Sequence, residues 1–430
     1  MNTTHLLLPG PRFGELTIPS SKSHAHRLLI AAALGEKPVD IRLRGLSDDI
    51  LATAACLRAM GAEVHVREDG ISVRPTDKTA EHGGEIILPC GESGSTLRFL
   101  LPVLGACDIR GCFRMEGRLP LRPMDVFEDE LRLHGMEIRR EGALLHASSH
   151  LLPGEYRLPG NISSQYFSGL LFALPGLKGD SRVTAEGALE SAAYIRMTEA
   201  VLLSAGIRFE RRDSGWTIPG GQRFRLPGRI QTEGDWSNAA FFLCLGALSE
   251  RGVTVRGLRE DSLQGDRAVL KTLRDFGARV LSGEDGVTVR AGERKPFFLD
   301  ASSVPDLVPV LSVLACGAEG ESVISGAARL RMKESDRIQS TLSLIRALGG
   351  SAVETEDGLR ILGSGRLRGG RADSFHDHRI AMSAALAAAL CAEPVEVTDP
   401  ACVEKSYPAF WEDWERSTTC QVPGSETGSG

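Results

Sequence analysis

Two kinds of apolar block alternate along this chain. The first is amphipathic and stops on glycine: "LRAMGAEVHV", "LRLHGMEIRR", "LLSAGIRFER", "LRDFGARVLS" and "IRALGGSAVE". The glycines are Gly61, Gly135, Gly206, Gly277 and Gly349, separated by 74, 71, 71 and 72 residues. Apolar positions three and four apart predict helices, the glycine supplies a C′ residue, and the alternation that follows predicts a strand.

The second kind is richer in small residues and almost wholly apolar after a polar opening. It runs "SKSHAHRLLIAAALG", "ESGSTLRFLLPVLG", "NISSQYFSGLLFALPG", "GDWSNAAFFLCLGAL", "VPDLVPVLSVLACG" and "HDHRIAMSAALAAAL". With Lys22, Ser95, Ser164, Trp236, Asp306 and Asp377 as markers, the spacings are 73, 69, 72, 70 and 71 residues. A helix apolar on all sides must be buried. The chain therefore reads as six strand-helix-strand-helix units of roughly 70 residues, too long for a solenoid repeat of 20–50. Strands such as "GISVRP", "RVTAEG" and "GVTVRG" supply sheets, which makes the class α/β or α+β. Three units per half puts the natural cut near Gly234 and Asp235.

Composition changes this picture little. At 430 residues the chain exceeds the roughly 250–300 at which one core stops growing, so two domains are expected. A net charge of -6 with 25% charged residues argues against nucleic acid or an anionic membrane as partner. Nine cysteines without metal-ligand spacing read as small core residues in a reducing compartment. His5, His65, His82, His134, His146 and His150 have no sequence partners and read as surface or core. No basic leader and no stretch of about 18 apolar residues is present, so a cytoplasmic protein is expected. The sequons at Asn2 and Asn161 then carry little meaning, and the Gly/Ser-rich tail 419–430 reads as flexible.

Candidate chemistry sits where the buried helices open. Helix N-termini leave N–H groups unpaired and favour anions. At these openings stand Ser21, Lys22, Ser23 and Arg27; Gly94, Ser95 and Arg98; Ser163, Ser164 and Gln165; Asp306; and Asp377, His378 and Arg379. "RLRMKESDRI" adds Arg329, Arg331, Lys333, Glu334, Asp336 and Arg337; read as a helix, it puts Lys333 and Arg337 on one face with Glu334 beside them. Arg122 precedes Pro123 and so reads as extended loop. Any one cluster alone could be a solvated charged face; their recurrence at equivalent places of a repeat points to an anionic ligand. GxxxxGK[ST], HExxH and GxGxxG are absent, and "GESGST" misses GxSxG at Ser95, which removes support for Mg²⁺-dependent phosphoryl transfer, zinc hydrolysis and nicotinamide chemistry.

Together "PSSKSHAHR", "GESGSTLR", "LRPM", "NISSQ", "SAAYI", "VPDLVPVLSVLA", "RMKESDRI", "HDHRIAM" and "EKSYPAFW" resemble, in order and spacing, the 5-enolpyruvylshikimate-3-phosphate synthase family over residues ~5 to 415. The resemblance implies two similar domains, each of three βαβαββ units forming an inside-out α/β barrel, with the active site in the cleft between them. It also implies a discontinuous chain division: 20–231 as one domain, 1–19 plus 232–418 as the other. The family transfers the enolpyruvyl group of phosphoenolpyruvate to the 5-hydroxyl of shikimate 3-phosphate and releases phosphate, on the way to chorismate and the aromatic amino acids. Shikimate 3-phosphate would meet Lys22, Ser23, Arg27, Ser163, Ser164, Gln165, Ser191, Asp306 and Lys333. Phosphoenolpyruvate would meet Lys22, Gly94, Arg122, Gln165, Arg337, Arg379 and Lys405. Asp306 is the implied base, and Glu334, with Lys22 or Lys405, the acid side; their coupling leaves the division of proton transfers open. No cofactor and no metal are implied, and a monomer is expected.

This chain departs from the family's pattern in places. His24 and His26 stand where Val and Asn are frequent, Glu92 and Ser95 where Asn and Thr are frequent, and Arg329 where some members have an Asn that touches the substrate phosphate. Gly94 is kept, so glyphosate, which occupies the phosphoenolpyruvate site in the family, is expected to inhibit. The rival reading, UDP-N-acetylglucosamine enolpyruvyl transferase, expects an SGAKNA-like opening and a reactive loop cysteine; Ser23 follows Lys22 here, and Cys112 lies in a different setting. A non-catalytic metabolite-binding protein of the same fold is the other alternative; it should have lost Lys22, Asp306 or Glu334, and all three are present.

Overall fold

The computed structural model describes residues 3–10, 12–75, 84–148, 150–284 and 286–417. Asn2, His82, Cys420 and the tail expected to be flexible lie outside them. All five repeat glycines close helices, with φ between +75° and +98°. At Gly277 the need is steric as well, since an added Cβ would stand 1.8 Å from the Glu293 carbonyl oxygen. The small-residue series forms helices at Lys22–Ala33, Gly94–Ala106, Ser164–Ala173, Trp236–Ala247, Val308–Ala315 and His378–Ala388, the last three buried along their whole length. Close packing among them shows at Gly169, whose added Cβ would meet the Arg98 carbonyl oxygen at 2.3 Å. Pro102 lacks the N–H that would bond that carbonyl within its own helix, and Gly169 packs against it instead.

The units differ from strand-helix-strand-helix in one respect: each amphipathic helix leads into a hairpin rather than a single strand. Ile86–Gly91 runs parallel to Gly111–Met115, with the buried helix between them; Gly111–Met115 is antiparallel to Leu144–Ala147, which returns to Ile138–Glu141. Among the described residues, four other four-stranded sheets repeat this order, and a sixth has three strands. Two sheets borrow their first strand from far along the chain. Arg229–Gln231 lies beside Val39–Arg42, and Gly14–Thr17 beside Val253–Arg256. The three-stranded sheet borrows too, since Thr4–Leu7 pairs with Val395–Thr398.

Two hydrophobic cores result. One holds residues from Ala25 to Leu226, the other Leu7, Ile18 and residues from Trp236 to Trp414. The chain passes between them twice, and the two passages lie side by side: Ser20 bridges Gly234, the Ser21 N–H donates to the Glu233 carbonyl at 2.7 Å, and the Asp235 N–H donates to the Pro19 carbonyl at 2.9 Å. These passages open directly into the helices at Lys22 and Trp236, so the crossing point and the site share residues.

Candidate active site

Polar side chains cap the buried helices where they face the gap between the cores. Ser21, Ser93, Ser163, Asp235 and Asp377 each accept an N–H from the first turn they precede. Asp235 also accepts the Lys22 N–H at 3.0 Å, tying an opening of one half to an opening of the other. Among the described residues, eight lysine and arginine side chains and three carboxylates line the resulting cleft. That excess of positive charge, partly dehydrated, matches ligands carrying several negative charges.

Every residue assigned from the sequence lines this cleft except Lys405, which reaches it through Asp49. Asp306 stands at its centre. Its Oδ1 lies 2.8 Å from Arg337 Nη1 and 3.7 Å from Lys333 Nζ, and its Oδ2 lies 3.2 Å from Arg379 Nη2. Arg337, 1% exposed, also reaches Glu334 Oε2 and Asp377 Oδ2, each at 2.8 Å. Glu334 in turn faces Arg122 Nη1 at 3.5 Å. Burial alone would raise Asp306 and Glu334; Arg379, Lys333 and Arg337 around the first, and Arg337 and Arg122 around the second, hold both well below the ordinary carboxylate range. Burial is the largest effect at Lys333 and lowers it to about 8.

A second cluster joins Lys22 and Lys405. Lys22 Nζ is 2.7 Å from Asp49 Oδ2, and Lys405 Nζ is 3.2 Å from Asp49 Oδ1 and 3.5 Å from Glu92 Oε2. Although burial opposes it, the two ammonium groups keep the Asp49 carboxyl strongly depressed. On the other wall, Gln165 donates to Ser95 Oγ at 2.8 Å and accepts from Arg98 at 3.1 Å, while Arg27 donates to Thr198 Oγ1 at 2.8 Å and to the Ser23 carbonyl at 2.6 Å. Ser163 and Ser164 open the same helix as Gln165, and Gly94 leaves room for Arg98 and Arg122 beside it. Ser191 sits in left-handed backbone and accepts from Arg329 at 3.1 Å; Arg329 also donates to the Ser302 carbonyl at 2.6 Å, bridging the halves.

One expectation needs correction. Lys333 and Glu334 are not helical, because the helix begins at Arg337 after its cap Asp336. They reach Asp306 and Arg337 from an irregular turn, not from a shared helix face. Sequence reasoning missed Asp49, Tyr194 and Asp266. Tyr194 donates to Asp266 Oδ2 at 2.8 Å, and burial with the nearby Asp306 charge pushes Asp266 up to about 6. "SAAYI" carried a signal for Tyr194; nothing local distinguished Asp49 or Asp266.

The EPSP synthase (3-phosphoshikimate 1-carboxyvinyltransferase) family model matches residues 9–414. The chain belongs to the EPSP synthase family. Proteins named 3-phosphoshikimate 1-carboxyvinyltransferase from Clostridium kluyveri and Clostridium acetobutylicum are 37% and 38% identical, each over 93% of this chain and 94% of their own. The EPSP synthase structure from Acinetobacter baumannii aligns with TM-score 0.80 at 28% identity, covering 97% of this chain and 98% of that one. At 19% identity, the enolpyruvyl transferase NikO from Streptomyces tendae shares the fold, with TM-score 0.78 and cover of 97% and 98%.

Proposed function

We propose that this cleft carries out the family's reaction by addition and elimination, with Asp306 as base and Glu334, Lys22 and Lys405 on the acid side. The reaction is transfer of the enolpyruvyl group of phosphoenolpyruvate to the 5-hydroxyl of shikimate 3-phosphate, a step of the shikimate pathway. A proton delivered to C3 of phosphoenolpyruvate leaves C2 cationic; the 5-oxygen attacks C2 as Asp306 takes its proton. The tetrahedral adduct then loses phosphate from C2 and a proton from the new methyl group, restoring the double bond.

The observation that carries this reading is the engagement of Asp306 and Glu334 by Arg337, Arg379 and Arg122. A carboxylate so engaged is a poor base. Arriving phosphoenolpyruvate offers these arginines a carboxylate and a phosphate, bidentate partners of the geometry guanidinium prefers. As the arginines turn to the substrate, both acids lose their depressing partners and their pKa values rise toward the range useful for proton transfer. Lys22, Ser23, Arg27, Ser163, Ser164, Gln165, Ser191 and Lys333 are left to hold shikimate 3-phosphate. We place the division of the chain at 19/20 and 231/232, supported by the paired passages and the two cores. Both halves of one chain build the site, which supports a monomer, and we place the protein in the cytoplasm; no helix among the described residues is long and apolar enough to cross a membrane.

Phosphate release from phosphoenolpyruvate tests the assignment, with shikimate 3-phosphate or UDP-N-acetylglucosamine as acceptor and Asp306→Asn alongside. Release is expected with shikimate 3-phosphate only, lowered about 10²- to 10⁴-fold in the variant. Release with the nucleotide sugar, or an unimpaired variant, would overturn the proposal.

A further inference from the structure

Among the described residues, one group of side chains with metal-ligating chemistry lies outside the cleft. Cys112 Sγ, a ring nitrogen of His146 and a carboxylate oxygen of Glu85 lie within 4.8 Å of one another. Cys112 and His146 are directly opposed on adjacent antiparallel strands, with Sγ 3.9 Å from Nε2. Their neighbours Phe113 and Leu145 point into the core, so the pair occupies the sheet's other face, beside Ile87, which is 53% exposed. Cys112, 1% exposed, is buried as its sequence suggested, but on this face and not in the main core, and His146 is not without partners. Glu85, just before the first strand of this sheet, places Oε1 2.8 Å from His146 Nδ1. Glu141 brings Oε2 to 3.7 Å from Nε2, its other oxygen being bonded to Arg139.

We propose that Cys112, His146 and Glu85 form a binding site for a zinc-class divalent cation, with Glu141 as a carboxylate partner at the ring's edge. A thiolate, an imidazole nitrogen and a carboxylate suit a borderline-soft ion, and three protein ligands leave the fourth tetrahedral position to water. Cross-strand pairing fixes two ligands on a rigid sheet; because Cys112 faces Nε2 and Glu85 faces Nδ1, the imidazole must turn, or Glu85 swing across the ring edge, to bring all three to one ion. A metal–sulfur bond forms as the thiol proton leaves to solvent. The ion would staple the entry of the strand Ile86–Gly91 to the two strands beside it.

Cobalt(II) added to the full chain under anaerobic conditions tests the site. One ion per chain is expected, with a thiolate-to-cobalt charge-transfer band that zinc abolishes by displacement. Cys112→Ser should lose the band, His146→Gln should bind far more weakly, and Glu141→Gln should weaken binding about 10- to 100-fold, as for outer partners of metal ligands. Circular dichroism and turnover unchanged in these variants exclude misfolding, since none touches the cleft. Absence of stoichiometric binding would leave only the contacts of His146 with Glu85 and Glu141 and overturn the proposal, as would a band that survives in Cys112→Ser.

Discussion

Lys333 is the cleft cation whose charge is least secure. It holds an anion only while protonated, and burial lowers it from its ordinary value near 10.4 to about 8. Its hold is thus present below that value and lost as pH rises through it. The kcat/KM for shikimate 3-phosphate should fall above about pH 8, and in Lys333→Arg the descending limb should move to higher pH, because guanidinium stays charged. An unmoved limb would exclude Lys333 as the titrating group. Gly94 makes a different demand. An added Cβ would stand 2.5 Å from Arg98 Nη1 and 3.0 Å from Arg122 Nη1. Gly94→Ala should displace Arg122 and raise KM for phosphoenolpyruvate about 10- to 100-fold, with glyphosate inhibition weakened in parallel and KM for shikimate 3-phosphate little changed. Equal effects on both KM values would contradict the separate placement of the two substrates. Sequence exposed Gly94 and Lys333 because each belongs to a long motif. Asp49 was invisible because its contacts with Lys22 and Lys405 lie 27 and 356 residues away, and it opens an amphipathic helix whose pattern speaks only of packing.

At the scale of elements, the repeat was legible because the helix ends impose backbone demands that recur in every unit. Gly277→Ala tests that reading: left-handed φ and a carbonyl 1.8 Å from the new methyl should cost more than about 1 kcal/mol of stability by denaturant titration, with KM values unchanged. A neutral result would mean that this helix end can relax. The hairpins after each amphipathic helix were less legible, since their strands are short and one is partly exposed, as at Arg279–Gly283. The turn Lys333–Asp336 misled for a related reason. Its charges repeat at helical intervals, but Asp336 caps a helix that starts only at Arg337, accepting from the Ile338 and Gln339 N–H groups.

At the scale of the whole molecule, the decisive contacts are remote in sequence. Gly14–Thr17 and Thr4–Leu7 complete sheets whose other strands begin at Val253 and Gly370. A chain shortened to residues 20–417 should expose the edges of Val253–Arg256 and Val395–Thr398 and aggregate, and a peptide of residues 1–19 supplied in trans should restore soluble protein. Soluble, active shortened chain would show that these strands are dispensable. The same pairing sets a timetable for synthesis. Thr4–Leu7 leaves the ribosome about 390 residues ahead of Val395–Thr398, a wait of about 20–80 s at typical elongation rates. The half whose core runs from Ala25 to Leu226 can fold in that interval. Gly14–Thr17 waits only for Val253–Arg256, whereas Thr4–Leu7, made early, is among the last strands to find its place and until then has no sheet to join.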